Sequence, residues 1–141
     1  MVRGGVYGPL VLRFALAVAL FGVIVAPAAA LADFASPSGN ISCLMDATSV
    51  RCDIARSDWR IVKRPKGCQG DFGQGLEVGR RSKRGEVVCA GDSALGARRI
   101  LAYGRSITAG SLRCTSRSTG MTCRNGLGHG FILSRESFWL F

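Results

Sequence analysis

The sequence has few of the groups on which enzyme chemistry usually depends. It contains one histidine, His129, and only nine acidic residues against 19 basic ones. It has no H-E-x-x-H zinc-protease pattern and no G-x-S-x-G nucleophile elbow. None of the cysteines occurs in the C-x2-C spacing that is typical of zinc sites. We therefore expect no metal, no cofactor and no enzyme activity of a familiar type.

Long helices are also missing from the pattern. After residue 32, no 12-residue stretch carries a convincing helical apolar stripe, and residues 93–101 are the best short helix candidate. Short apolar and alternating runs, separated by Gly and Ser, instead predict an all-β domain, a small disulfide-stapled sandwich or barrel built from hairpins. The predicted strands are residues 40–45, 49–54, 59–62, 75–78, 86–90, 100–103, 111–116, 120–125, 130–134 and 138–141.

The last predicted strand is strongly apolar. Its sequence is Phe138-Trp139-Leu140-Phe141, which is too apolar to extend into water. Because side chains alternate across a strand, we expect either Phe138 and Leu140 or Trp139 and Phe141 to be buried.

The N-terminus has the three-part order of a bacterial signal peptide. Arg3 and Arg13 supply positive charge, residues 14–25 are apolar, and residues 27–32 are small. We predict a signal peptide over residues 1–32 and a single exported domain over residues 33–141. Cleavage after Ala32 is expected, with cleavage after Ala30 as the alternative.

An uncleaved membrane anchor is the other interpretation of this segment. Residues 14–32 number 19, and a membrane-spanning helix needs roughly 20. The apolar centre is shorter than that, and Pro27 interrupts the small residues beyond it, which favours cleavage. No cysteine stands directly after the predicted cleavage site, which argues against a lipoprotein.

All six cysteines follow the predicted cleavage site, and an even number in an exported chain indicates disulfides. Two pairs have eight intervening residues and lie on predicted hairpins, where cysteines directly opposite each other are close enough to bridge. This favours the pairs Cys43–Cys52 and Cys114–Cys123, and leaves Cys68–Cys89. The two similar hairpins also hint at an internal repeat.

Charge is the most informative functional feature. Loss of Arg3 and Arg13 with the leader leaves 17 basic and nine acidic residues, a net charge of +8. Two basic segments stand out: the basic loop (Arg60, Lys63, Arg64 and Lys66) and the basic turn (Arg80, Arg81, Lys83 and Arg84). If Cys68 and Cys89 are bridged, we expect both to be drawn toward one end of the domain.

Such charge attracts polyanions, and arginine can bind phosphate or carboxylate through two hydrogen bonds. We therefore predict an exported or envelope-resident binding module. Its expected partners are phospholipid head groups, acidic cell-wall polymers or acidic proteins, with no specific nucleic acid. A basic surface that serves only solubility is the simpler alternative.

Two further functions fit the sequence less well. A small hydrolase would use His129 as its base and Ser134 as its nucleophile, with Asp92 or Asp53 as the orienting carboxylate. Otherwise we expect the His129 imidazole to bond to the backbone of its Gly-His-Gly turn. An inhibitor of an envelope enzyme would also suit a rigid scaffold. Trp59 could stack on a ligand, although a core position is expected.

Several motifs follow one another along the chain: Phe34-Ala35-Ser36-Pro37-Ser38-Gly39-Asn40-Ile41-Ser42-Cys43, Val88-Cys89-Ala90-Gly91-Asp92-Ser93, Leu101-Ala102-Tyr103-Gly104, Gly120-Met121-Thr122-Cys123-Arg124-Asn125 and Gly128-His129-Gly130-Phe131. Together they resemble an uncharacterised family of small exported actinobacterial proteins, of mycobacterial type. The resemblance implies export, an actinobacterial source and paired cysteines. It implies no activity and no catalytic residue. Ala102 stands where the family pattern has proline, which affects a turn at most.

Overall fold

The computed structural model describes residues 4–5 and 30–141, and this part of the chain contains ten β-strands and no helix. The all-β prediction is therefore confirmed. The predicted signal peptide and the alternative anchor fall almost wholly outside the described residues. Within the described ranges, no helix has the length and hydropathy needed to cross a membrane.

The strands form two antiparallel five-stranded sheets in which each strand pairs with the next. The first sheet contains β1 (Ala32–Ala35), β2 (Ile41–Met45), β3 (Ser49–Ile54), β4 (Asp71–Gly79) and β5 (Glu86–Ala90). The second contains β6 (Ser106–Ala109), β7 (Leu112–Arg117), β8 (Gly120–Arg124), β9 (Gly130–Leu133) and β10 (Phe138–Leu140). The two sheets bury a shared core, so the architecture is a sandwich rather than a closed barrel.

Three predicted elements are wrong. Residues 59–62 lie in a loop, where Trp59 donates from Nε1 to the Ser134 carbonyl at 3.0 Å and its ring lies 4.7 Å from that of Phe138. Residues 100–103 contribute only one bridge, between Ile100 and Ala35. Residues 93–101 form no helix, because this segment crosses the first sheet, bound to Asp53 at Ala94 and paired with Ala35 at Ile100. Strands β1 and β6 were not predicted.

Disulfides join the predicted cysteine pairs. Cys43 lies opposite Cys52 and Cys114 opposite Cys123, with Cα–Cα distances of 4.0 and 4.1 Å, and both bridges are fully buried. The third bridge, Cys68–Cys89, lies at the surface. The two buried bridges meet between the sheets, where Cys52 Sγ lies 3.6 Å from Cys123 Sγ. Large apolar side chains surround them, including Phe34, Met45, Leu76, Leu112, Met121 and Phe131.

The disulfide occupies the same place in the strand order of both sheets. The disulfide-bonded hairpin is formed by the second and third strands of each five-stranded meander. The first strand of each places an apolar residue opposite the first cysteine, Phe34 opposite Cys43 and Ile107 opposite Cys114. The internal repeat suggested by the sequence therefore extends to the strand order and register.

The final strand packs as predicted, with Phe138 and Leu140 against the core. Trp139 points outward and is 66% exposed.

Ser116 offers a test of the core. Its hydroxyl is fully buried on β7 and has no hydrogen-bond partner within the described residues. An unsatisfied buried hydroxyl costs about 1–3 kcal/mol. We expect Ser116→Ala to raise the free energy of unfolding by about 1 kcal/mol, measured by chemical denaturation. In the control Ser134→Ala, the lost hydroxyl bonds Ser137 at 3.0 and 3.1 Å, so stability should fall. Destabilisation by Ser116→Ala would contradict the assignment.

Asp46 makes the β2–β3 turn sensitive to pH. Its carboxylate accepts hydrogen bonds from Thr48 Oγ1 at 2.6 Å and Ser49 N at 3.0 Å, and these bonds, led by the Thr48 hydroxyl, hold its pKa below the ordinary value of 3.8. A lowered folded-state pKa stabilises the protein above the unfolded pKa, and the contribution disappears as pH falls through the folded value. The stability difference from Asp46→Asn should therefore shrink below about pH 3.8, measured by thermal melting from pH 7 to 2. A constant difference would refute this.

Candidate functional site

The outer face of the second sheet carries three arginines. Arg113 and Arg117 on β7 and Arg124 on β8 are exposed, whereas the residues between them, such as Cys114 and Cys123, face the core. Strand alternation therefore places all three guanidinium groups on one side of the sheet. With Thr115 and Thr122 between them, they form what we call the arginine face.

The arginine face has little internal neutralisation. Arg113 lies directly opposite Arg124, a like-charge pair that is unfavourable across a sheet. Strands β6 to β10 contain no aspartate or glutamate. Arg113 Nη2 donates instead to Ser106 Oγ at 3.0 Å. A groove of about 210 Å³ is lined by these side chains together with Gly128 and Phe141.

The strand arginine of the first sheet, Arg51, is neutralised by two carboxylates. Arg51 binds Asp53 through Nε and Nη2 at 2.9 and 2.7 Å, and Asp92 through Nη1 at 2.7 Å. The Asp53 hydrogen bonds raise the pKa of Arg51, and Arg51 in turn lowers the pKa of Asp92. Ala94 N donates to Asp53 Oδ2 at 2.8 Å. This bond holds the segment between β5 and β6, residues 91–105 (the linker), against the outer face of the first sheet. The first sheet is therefore both covered and neutralised.

The basic turn adjoins the arginine face. Asn125, directly after Arg124, is buried and donates from Nδ2 to the carbonyls of Gly79 and Ser82 at 3.0 and 2.8 Å. Gly85 N donates to the Phe141 carbonyl at 3.2 Å. These bonds fix the turn at the end of the second sheet where Arg113 and Arg124 lie. Arg80, Arg81, Lys83 and Arg84 are all exposed there.

The basic loop lies elsewhere, so the expected convergence of the two basic segments is wrong. The Cys68–Cys89 bridge holds the loop beside the start of β4, because Cys89 pairs with Phe72. The basic turn follows the far end of the same strand. Strand β4 is nine residues long, which separates its ends by about 25 Å. Arg64 also makes hydrogen bonds within its own loop, because its guanidinium donates to the Cys68 and Gly70 carbonyls.

The residues of the hydrolase hypothesis are not brought together. His129 and Ser134 flank β9 at opposite ends, about 17 Å apart along an extended strand. Asp53 and Asp92 are bound by Arg51 on the other sheet. Ser134 Oγ is engaged with Ser137.

The expected imidazole–backbone bond of His129 is also wrong. Asn125 closes this turn by binding the backbone of His129, since its side-chain Oδ1 accepts from His129 N at 3.1 Å and its own N donates to the His129 carbonyl at 2.8 Å. The imidazole makes no hydrogen bond to any described residue.

A second recess lies at the opposite end of the sandwich. This cleft of about 240 Å³ lies where the β1–β2, β7–β8 and β9–β10 turns meet, with Arg117 on its rim. Much of its polar lining is already paired: Ser36 Oγ lies 3.1 Å from Ser38 Oγ, and Asn40 Nδ2 donates to the Arg56 carbonyl at 2.9 Å.

One group of potential metal ligands occurs among the described residues, formed by Cys43, Cys52 and Cys123. All three sulfurs are bonded in disulfides. Metal binding by cysteine requires the thiolate, so the oxidised group offers no ligand.

Runs of charge in the sequence do not reveal the three arginines of the face. A strand separates its outward residues by two positions, so a charged face appears as isolated residues. The signal was the pattern Arg113-x-Thr115-x-Arg117, with Thr122-x-Arg124 on the partner strand.

Fold and surface together define a small disulfide-bonded all-β sandwich with one covered and one open, basic face. The chain matches the model of a family of unknown function, DUF6636, over residues 15–141, and it belongs to that family. The expectation of an uncharacterised family is thereby confirmed. Comparison with curated proteins and with solved structures finds no match.

A substitution at Gly75 can test the network of Arg51, Asp53 and Asp92, which holds the linker in place. Gly75 lies opposite Asp53 in the β3–β4 register, and a Cβ atom there would collide with Asp53 Oδ1. We expect Gly75→Ala to displace the buried carboxylate and to lower the free energy of unfolding by about 1–3 kcal/mol, measured by chemical denaturation. It should also speed tryptic cleavage at Arg98 and Arg99, which lie in the linker.

The matched control is Gly91→Ala. Gly91 has open space around its Cα and no left-handed φ. Its substitution should leave both the denaturation midpoint and the cleavage rate unchanged. Equal behaviour of the two variants would show that Asp53 does not depend on the space at Gly75.

Proposed function

We propose that this protein is a non-catalytic binding module for an anionic partner, which it contacts through the arginine face and the adjoining basic turn. The observation that carries the proposal is the contrast between the two sheets. Arg51 on the first sheet has two carboxylate partners, whereas Arg113, Arg117 and Arg124 form no ion pair with any described residue. Three exposed guanidinium groups on one rigid face are thus free for an external anion.

The spacing of these groups suits a partner with repeated charges. Arg113 and Arg124 are neighbours across the strand pair, while Arg117 lies four residues further along β7, or about 13 Å. A single small anion cannot reach all three. A surface or a polymer with several phosphates or carboxylates can, and each guanidinium can bind one of them through two hydrogen bonds.

The proposed setting is the cell envelope or the extracellular space. Three disulfides indicate an oxidising environment. We propose that the signal peptide over residues 1–32 directs export and that the source is actinobacterial. Ala32 pairs with Met45 in β1, so cleavage after Ala30 leaves the strand whole, whereas cleavage after Ala32 removes its first residue.

Binding to a linear polyphosphate probe tests the proposal. We expect binding that weakens with salt, and we expect the triple variant Arg113→Gln, Arg117→Gln, Arg124→Gln to lower the slope of log affinity against log salt by about 2–3. Fluorescence anisotropy with labelled probe, measured from 50 to 300 mM salt, gives this slope. Exposed polar substitutions of this kind should change stability by less than about 0.5 kcal/mol.

The matched control removes the same number of charges from the basic loop, through Arg60→Gln, Lys63→Gln and Lys66→Gln. Net charge then falls equally, but the open face stays intact. If both triple variants bind alike, only overall charge matters and the assigned surface is wrong. If the unmodified protein shows no salt-dependent binding, the function itself is wrong.

A further inference from the structure

The outer face of the second sheet continues beyond the arginines into an apolar strip. Ile132 on β9 lies opposite both Thr122 on β8 and Trp139 on β10. Residues directly opposite each other point to the same side of a sheet, so Ile132 and Trp139 share the side of the arginine face. Ile132 is 40% exposed and Trp139 is 66% exposed.

The two halves of this surface are contiguous. Neighbouring strands are about 4.8 Å apart, so Trp139 lies only about 10 Å from the β8 strand that carries Arg124. The arginines occupy β7 and β8, and the apolar side chains occupy β9 and β10. No described segment lies across this side, in contrast to the linker that covers the first sheet. The result is an open face that is basic on one half and apolar on the other.

We propose that this face lies on a bilayer that contains anionic phospholipids, with the arginines at the head-group phosphates and with Trp139 and Ile132 in the interfacial layer. This inference rests on the proposed function and specifies its partner. Basic side chains are attracted to an anionic leaflet, and tryptophan is enriched at membrane interfaces because its ring is apolar while its N–H is polar. Binding that combines charge with buried apolar area is the pattern of interfacial proteins.

A water-soluble polyanion accounts for only half of the surface. Phosphates or carboxylates of a polymer would pair with Arg113, Arg117 and Arg124, but an acidic polymer without apolar groups would leave Ile132 in water. The bilayer interface offers both chemistries within the width of one sheet. Binding to polymer alone is therefore the competing outcome of the experiment.

Vesicle binding and Trp139 fluorescence provide the test. The chain has two tryptophans, Trp59 and Trp139. The emission difference between the protein and Trp139→Phe isolates Trp139 and leaves the Trp59 contacts intact. With vesicles of phosphatidylglycerol and phosphatidylcholine, we expect a blue shift of Trp139 emission and quenching by lipids brominated near the head group. Pure phosphatidylcholine vesicles should produce neither effect.

Affinity measurements on variants complete the test. We expect the double variant Ile132→Ser, Trp139→Ser to bind anionic vesicles about tenfold more weakly, with polyphosphate binding unchanged. The control Val62→Ser removes an apolar side chain that is 91% exposed in the basic loop, and it should bind as the unmodified protein does. All variants are made in the full chain recovered from the exporting host, so that any contribution of the N-terminus is common to them, and thermal melting checks their folding.

The outcomes separate this inference from the proposed function. Polyphosphate binding together with no Trp139 blue shift, or with equal vesicle affinity for the double variant and Val62→Ser, overturns the bilayer inference and leaves the anion-binding function standing. Failure to bind polyphosphate and vesicles alike overturns both.

Discussion

The contact between two buried disulfides at the centre of the sandwich is the constraint on which the rest of the structure depends. Cys43–Cys52 and Cys114–Cys123 each close a hairpin, and their sulfurs approach to 3.6 Å between the sheets. Each bridge stabilises by about 2–4 kcal/mol, a large share of what a small domain has in total. A bridged hairpin also fixes strand register, and register decides which side chains face outward. The position of every arginine on the open face thus follows from the pairing of Cys114 with Cys123.

The two sheets share a plan but have different surfaces. Each is a five-stranded meander with its disulfide in the second and third strands. In the first sheet, Arg51 forms ion pairs with Asp53 and Asp92, and the linker crosses the outer side. In the part of the chain that the structure describes, the strands of the second sheet carry no carboxylate and no segment crosses their outer side. The exposed arginines of the second sheet lie beside two exposed apolar residues, Ile132 and Trp139.

Local sequence signals predicted the fold well where the chain forms hairpins. The strands at Ser49–Ile54 and Glu86–Ala90 were predicted to the residue, because alternation, turn residues and cysteine spacing all agree there. The predictions failed where contacts between distant parts of the chain determine the backbone conformation. Residues 59–62 alternate as a strand does, but Trp59 finds its partners on β10 and in the turn before it. Strands β1 and β6 are short edge strands whose pairing partners, and not their own four residues, define them.

The candidate site shows the same division between local and long-range information. The basic loop and basic turn are visible as runs of charge, but their separation depends on the length of β4. The arginine face is invisible as a run, and it requires knowledge of the register that sets Arg113 opposite Arg124. Under the proposed function, that register would also make the face a better binding surface than the basic loop. Strand arginines are attached to a backbone that two disulfides and a core already hold, so binding orders only their side chains. Residues of the basic loop would also lose backbone freedom, whereas the basic turn is already fixed to the end of the second sheet. Three guanidinium groups on a fixed sheet would therefore use their charge more effectively than the denser cluster in the basic loop.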